Sequence, residues 1–452
     1  MAEQVDVVVV GLGVGGEEVA GRLAEAGLAV VGVESRLVGG ECPYYGCIPS
    51  KMMIRAANLL AETRRVDGMS GHATVEPDWT PVARRIRDEA TDDWNDKVAV
   101  DRFTGRGGRF VRGRATLTGP GAVEVDDGSA FTARRGIVLG VGTEPVVPPI
   151  EGLAGTPFWT NREAIEATAA PESLVVMGGG GIGVELAQAF ARFGTKVTVV
   201  EALERLVALE EPESSALIEA AFEAEGITTR VGVAARRVSH DGQRFTVELA
   251  DGSTVTGEKL LVATGRRASF AGLGLETVGL DPKARAIEVD ERMRAGDKLW
   301  AIGDITGKGV FTHVSFYQAG IAIRDILDRP GPPADYRAVP RVTFTDPEVG
   351  MVGITEQQAR DAGIQVRTAI TQIPSSTRGW IHKAGNQGFI KLVMDESRGV
   401  LVGATSAGPV GGEVLSGLAV AVHAEVPVDT LKSMIYAYPT FHRAIEAALA
   451  EL

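Results

Sequence analysis

Two stretches of this chain repeat one pattern: a β-branched run, a glycine-rich turn, a helical segment, a second β-branched run and a glutamate. In the first, Val5-Asp6-Val7-Val8-Val9-Val10 leads into Gly11-Leu-Gly13-Val-Gly-Gly16, a helical stretch over 17–26, Val30-Val31-Gly32-Val33 and then Glu34. In the second, Leu174-Val175-Val176-Met177 leads into Gly178-Gly-Gly180-Gly-Ile-Gly183, a helical stretch over 184–193, Lys196-Val-Thr-Val-Val200 and Glu201. The acid follows the first glycine by 23 residues both times, from 11 to 34 and from 178 to 201. Short unbroken apolar runs of this kind read as strands buried on both faces of a parallel sheet. The first glycine makes a tight turn, the second lets backbone approach a pyrophosphate, and the third lets helix pack on strand. The phosphates then sit at the helix N-terminus, and the glutamate accepts a ribose hydroxyl. The chain is thereby constrained to an α/β fold with two dinucleotide sites. Glu201 favours a free 2′-hydroxyl and repels a 2′-phosphate, so NAD(H) is preferred over NADP(H), although Arg205 stands close by in sequence.

Cys42-Pro-Tyr-Tyr-Gly-Cys47 holds both cysteines of the chain, directly after the first unit. A disulfide across so short a loop removes little chain entropy, so the pair is a poor structural staple. It can serve instead as a redox couple that opens and closes as electrons pass; two buried structural thiols are the plain alternative. Cys47 opens a helical stretch over 47–60, and a thiolate there is stabilised by unpaired backbone N–H groups. Lys51 lies one turn on, on the same face. Two dinucleotide sites beside a dithiol suggest a nicotinamide that delivers hydride and a flavin that splits it into electrons for a disulfide.

Gly39-Gly40-Glu41-Cys42-Pro-Tyr-Tyr-Gly-Cys47-Ile-Pro-Ser-Lys51 resembles the redox motif of the flavoprotein disulfide reductases, on the branch of dihydrolipoamide dehydrogenase and mercuric reductase. Gly142-Thr143-Glu-Pro145, Ala263-Thr264-Gly265-Arg266, Ala301-Ile302-Gly303-Asp304 and Phe344-Thr345-Asp-Pro347-Glu348 resemble later motifs of that family in the same order. The resemblance implies two Rossmann-like domains followed by a C-terminal α+β dimerisation domain. The flavin domain is expected over 1–150 and 269–335, the nicotinamide domain over 151–268 and the dimerisation domain over 336–452. It implies FAD held by Gly11, Gly13, Gly16, Glu34, Gly40, Lys51, Ala115, Gly142, Asp304 and Thr312. The nicotinamide site is expected at Gly178, Gly180, Gly183, Glu185, Glu201, Gly265 and Arg266. By resemblance Cys47 is the thiolate nearer the flavin, Cys42 the interchange thiol, and Lys51 approaches flavin N5 paired with Glu185. A homodimer is implied, because in the family the partner's C-terminal domain completes the active site.

The C-terminus departs from that pattern. Dihydrolipoamide and glutathione reductases carry a His-Pro-Thr segment followed by a glutamate, an acid–base pair. Here the chain reads Tyr438-Pro439-Thr440-Phe441-His442-Arg443, with tyrosine for histidine and arginine for glutamate. A phenol of ordinary pKa about 10 donates a hydrogen bond but is a poor base at neutral pH. Pro439 suits the first turn of a helix, and a helix over 439–449 puts Tyr438, His442 and Glu446 close to one face. His442–Glu446 is then a candidate relocated pair, weighed against an ordinary helix histidine.

A formal charge of −13 argues against nucleic acid and anionic membrane surfaces. The opening residues lack a basic n-region, and the run at 7–10 is too short to span a bilayer. With only two cysteines, a cytoplasmic protein is expected. The histidines form no ligand cluster in the sequence, so no metal site is expected. The leading expectation is an FAD-dependent, NAD(H)-linked oxidoreductase acting on a sulfur group, with a disulfide-type acceptor. Direct transfer from flavin to a quinone is the alternative. Mercury reduction ranks lower, since neither a C-terminal vicinal cysteine pair nor an N-terminal metal-binding module is seen, and a ketone-carboxylating relative is a remote option. A flavin-bound, non-enzymatic interaction protein is disfavoured by the intact sites.

Overall fold

A computed structural model describes residues 2–452, and the chain divides into two compact units. The first comprises the chain up to Pro49, Arg85–Val146 and Arg266–Tyr336; the second comprises Ser50–Arg84, Val147–Gly265 and Arg337–Leu452. The α/β class expected from the repeated pattern is what both units show.

The sheet of the first unit is built around the strand Glu3–Val10, flanked in parallel by Val30–Glu34 and Ala130–Leu139. Arg109–Arg112 extends it beyond Val30–Glu34, and Leu299–Ala301 beyond Ala130–Leu139. The unbroken valine run has a simple cause in the two-residue period of a strand. Val7 and Val9 face the helices Val14–Glu25 and Thr312–Ile326 with Leu23, Phe103 and Ile323, whereas Val8 and Val10 join Val31, Val33, Leu117 and Phe131 on the other face. Each face is a core, so every position in the run must be apolar. The segment between the redox motif and the third strand is helical, through Cys47–Arg64, Thr80–Arg85 and Lys97–Gly105, and Ala115–Gly119 with Ala122–Val125 forms a hairpin.

The second unit repeats the parallel arrangement in the order Thr228–Arg230, Lys196–Val200, Ser173–Met177, Lys259–Val262. An antiparallel meander, Ala235–His240, Phe245–Leu249 and Thr254–Gly257, is inserted in the chain between Thr228–Arg230 and Lys259–Val262. The C-terminal part is an antiparallel sheet in the order Pro340–Thr343, Glu348–Gly353, Val400–Gly408, Phe389–Asp395, Val366–Gln372. Helices Gly411–His423 and Arg443–Ala450 cover it with Val414, Leu418, Ile445 and Leu449.

One expected helix starts later than its sequence suggests. Residues 439–442 form turns and the helix begins at Arg443, where Thr440 Oγ1 accepts from the Arg443 N–H at 3.3 Å. Turn bonds replace helical ones here: the Arg443 N–H is shared between Thr440 Oγ1 and Thr440 O, both at 3.3 Å, and Ala444 N bonds to Phe441 O at 3.0 Å. Tyr438 therefore lies outside the helix that carries Glu446. Among the described residues, no helix is long and apolar enough to cross a membrane.

Candidate active site

Both glycine turns form the same local structure. The helices Val14–Glu25 and Gly181–Arg192 start at Gly13 and Gly180 with no side-chain cap, leaving first-turn N–H groups free for an anion. A side chain at Gly13 or Gly180 would meet nothing within 4 Å, so space lies open in front of each turn. Gly16 and Gly183 admit no Cβ, which would sit 1.9 and 2.0 Å from the carbonyl oxygens of Gly11 and Gly178. The two acids are held alike. Glu34 accepts from Leu12 N at 2.8 Å and Arg36 N at 2.7 Å; Glu201 accepts from Gly179 N at 2.5 Å and Leu203 N at 2.7 Å. Each carboxylate oxygen keeps a lone pair for a further donor. Arg205 is committed elsewhere, donating to Ser215 Oγ at 2.7 Å, Ala208 O at 2.8 Å and Glu210 O at 2.9 Å.

In the first unit the redox motif packs onto the glycine turn. Gly39 bridges to Gly13, and a Cβ on Gly40, at φ 69°, would lie 2.8 Å from Gly13 Cα. The short helix Glu41–Tyr45 follows, then Gly46, and Cys47 opens the helix that runs to Arg64. Both cysteines are free thiols; Cys42 is half-buried and Cys47 exposed. A hydrogen bond to Cys47 pushes the Cys42 thiol well above its ordinary pKa, burial adds to this, and Thr312 opposes it. Cys47 Sγ lies 3.5 Å from Thr312 Oγ1, at the start of the helix Thr312–Ile326.

In the same unit, Asp304 accepts from Thr143 Oγ1 at 2.8 Å, next to Gly142. Burial raises the Asp304 carboxyl above the usual carboxylate range, against the pull of Thr143 and Arg266. Arg266, expected at the nicotinamide site, belongs to the first unit. Its guanidinium donates to Thr143 Oγ1 at 3.0 Å and Thr143 O at 2.7 Å, and stands 3.5 Å from the Glu41 carboxylate. The reason is strand pairing, since Arg266–Arg267 pairs antiparallel with Glu144–Pro145. Gly265, at φ 111°, ends the second unit's segment immediately before it. Ala115 opens its strand buried, two residues after Gly113, whose N–H donates to Glu34 O at 3.0 Å.

In the second unit Lys51 Nζ lies 2.7 Å from Glu185 Oε2, and Glu185 Oε1 accepts from Phe344 N at 2.8 Å. The ammonium also sits 4.5 Å from the centre of the Phe344 ring. One face of the helix Gly181–Arg192, with Glu185, Gln188 and Arg192, binds the long helix and the 344–346 segment together.

The C-terminal residues are not assembled as the helical spacing suggested. Tyr438 is exposed. Glu446 Oε2 pairs with Arg443 at 3.0 Å, and among the described residues no hydrogen bond or ion pair joins it to His442. The Arg443 guanidinium stacks 5.4 Å from the Tyr438 ring. Arg443, a permanent cation one turn before Glu446, takes the carboxylate. Sequence reading missed Arg192 and the segment 91–96, which stand in no local motif, and the part played by Asp346 within the motif Phe344-Thr345-Asp-Pro347-Glu348.

Residues 5–321 match the profile of the pyridine nucleotide-disulphide oxidoreductases, and residues 339–449 match the dimerisation domain of the same family. The chain is 33% identical to a mercuric reductase of Streptomyces lividans, over 98% of this chain and 95% of that one. It is also 33% identical to a dihydrolipoyl dehydrogenase of Chlorobaculum tepidum, over 99% and 97%. A solved Cu(II) complex of the HOCl-induced flavoprotein disulfide reductase RclA from Escherichia coli superposes with a TM-score of 0.87 at 25% identity, covering 100% of this chain and 99% of that one. With both domain profiles matched in order along nearly its whole length, the chain belongs to the pyridine nucleotide-disulphide oxidoreductase family.

Proposed function

We propose that this flavoprotein takes electrons from NADH and passes them through the Cys42–Cys47 pair to a disulfide-type acceptor, as a homodimer. The observation that carries the reading is the pair itself: two thiols hydrogen-bonded to one another, with Thr312 beside Cys47. The first unit's residues fit FAD. The open, uncapped turn at Gly11, Gly13 and Gly16 suits a pyrophosphate, Glu34 has lone pairs free for a ribose, Gly40 packs against Gly13, and Asp304 beside Gly142–Thr143 is an acceptor for the flavin's hydroxyl chain. Ala115 and Thr312 complete that set. Bound FAD supplies a way to turn a nicotinamide hydride into two electrons for a disulfide.

Gly178, Gly180, Gly183 and Glu201 form the matching cradle for the nicotinamide cofactor. The engagement of the Arg205 guanidinium with Ser215 Oγ, Ala208 O and Glu210 O supports NADH, since those acceptors occupy the cation nearest Glu201 in sequence. Lys51 and Glu185 form a fixed ion pair for the reductive side. On the acceptor side Cys42 attacks a substrate disulfide. The mixed disulfide then resolves as Cys47 bonds to Cys42, releasing two substrate thiols for one protein disulfide. Tyr438 is an exposed hydrogen-bond donor for the leaving thiolate, with His442 and Glu446 as further candidates. The match of residues 339–449 to the dimerisation domain supports the homodimer. We assign the flavin domain to 1–150 and 269–335, the nicotinamide domain to 151–268 and the dimer domain to 336–452.

The test is Cys42→Ser assayed with NADH against low-molecular-weight disulfides and against quinones. Disulfide turnover should vanish, while quinone reduction, which needs no thiol, should persist. Disulfide reduction at wild-type rate in this variant would refute the thiol route.

A further inference from the structure

The left-handed region is costly for residues with a side chain, yet Asp92, Asp93 and Trp94 occupy it in succession, at φ 49°, 54° and 54°. This turn follows the helical stretch that ends at Ala90 and precedes the helix Lys97–Gly105. It is held by backbone bonds from Asp93 N to Arg87 O at 2.7 Å and from Asn95 N to Thr91 O at 3.1 Å. Strain of this kind persists only where the surroundings impose it.

The turn aims its side chains at the redox loop from two directions. The Trp94 indole N–H donates to the Tyr44 carbonyl at 3.3 Å, and its ring stacks on Tyr45 with centroids 6.2 Å apart and planes at 25°. Two residues on, Asp96 accepts from Val38 N at 2.7 Å and is paired with Arg112. Val38 precedes Gly39-Gly40, and Tyr44 follows Cys42 within the helix Glu41–Tyr45. The segment 94–96 therefore grips the chain on both sides of Cys42. Tyr44 is buried, and burial followed by the Asp96 carboxylate raises its phenol, which fits close packing of the same segment.

We propose that Trp94 is a positioning residue for the Cys42–Cys47 pair, set in place by the left-handed turn to hold the helix that carries Cys42. This rests on the reading of the two cysteines as a redox couple. Closing the pair forms one S–S bond from two thiols, with two protons and two electrons passing to a second disulfide that is cleaved to two thiols. A held helix keeps Cys42 at high effective concentration beside Cys47, which favours closure; a freed helix lowers that concentration and favours the dithiol.

The experiment measures the dithiol–disulfide equilibrium constant of the full-length protein in glutathione redox buffers, by alkylation and mass spectrometry. Trp94→Phe keeps the ring and loses the donor, and should shift the constant about threefold toward the dithiol; Trp94→Ala should shift it about tenfold. Asp93→Gly relieves left-handed strain while keeping the indole, and should leave the constant within about twofold of wild type. A merely structural tryptophan would lower thermal stability without moving the constant. If Trp94→Ala fails to fold, Trp94→Phe alone decides. Wild-type constants in the Trp94 variants, with the wild-type pair cycling normally, would overturn the proposal and leave the redox reading standing. A wild-type pair that forms no disulfide in oxidising buffer would instead remove the redox reading, and the proposal with it.

Discussion

Replacing Arg192 with methionine is the sharpest test of what holds the second unit together. The guanidinium is 1% exposed and donates to both oxygens of Glu225 at 2.9 and 2.6 Å, to Asp346 Oδ2 at 2.8 Å and to Asn58 Oδ1 at 2.5 Å. Arg192→Met keeps most of the volume and deletes the charge, leaving two carboxylates without their shared cation. Removing one partner of a buried ion pair costs about 3–5 kcal/mol, because the other charge stays desolvated. Two features here favour the low end. Asp346 retains Arg65 Nη2 at 2.7 Å, and the Glu225 side chain is 24% exposed and retains Gln188 Nε2 at 3.0 Å. We expect about 3 kcal/mol, or roughly 6–12 °C in Tm at about 2–4 °C per kcal/mol for a unit of this size. Thermal melts followed by far-UV circular dichroism at matched flavin content would read it, with urea midpoints as a check. Adding Glu225→Gln should recover about 1–2 kcal/mol by removing one stranded charge. A change within about 0.5 kcal/mol for Arg192→Met would refute the argument, showing that desolvation of the three charged groups cancels their attraction.

NADH should exceed NADPH in kcat/KM by at least about tenfold, roughly 1.4 kcal/mol, and Glu201→Ala should narrow the gap; equal values in the wild type would show that another cation overrides Glu201. Asp304 gives a pH signature. Its folded pKa is raised by burial, so the native state holds a proton that the unfolded chain loses near pH 4. The stability of FAD-free protein should therefore fall as pH rises through the folded pKa, and Asp304→Asn should flatten that slope in Tm measured across the acidic range. His442→Ala should slow disulfide turnover by less than about tenfold, since Glu446 is paired with Arg443; a loss of about 10²–10⁴-fold, as for a general acid–base residue, would reinstate the relocated pair.

What the chain determines by local pattern came through with little loss. The strand ending at Val10 and the one spanning Lys196–Val200 stand where their β-branched runs put them, because residues buried on both faces must be apolar whatever the partner. Glu34 and Glu201 accept from matching N–H groups because the spacing from first glycine to acid is the same in both units. Cys42 and Cys47 are adjacent because a short loop leaves them little choice. Tertiary structure alone decided the rest. Arg266 joined Thr143 and Glu41 because its strand pairs with Glu144–Pro145, a partner far away in sequence. Glu446 went to Arg443, a cation one turn away, and the helix began four residues late, because three-residue turn bonds at Arg443 and Ala444 occupy the stretch that periodicity assigned to a helix. Arg192 and Trp94 carried no motif at all. Their roles arise from partners brought near by folding, such as Asp346 for one and the Tyr44 carbonyl for the other, and a left-handed turn of three ordinary residues is sustained by such distant contacts.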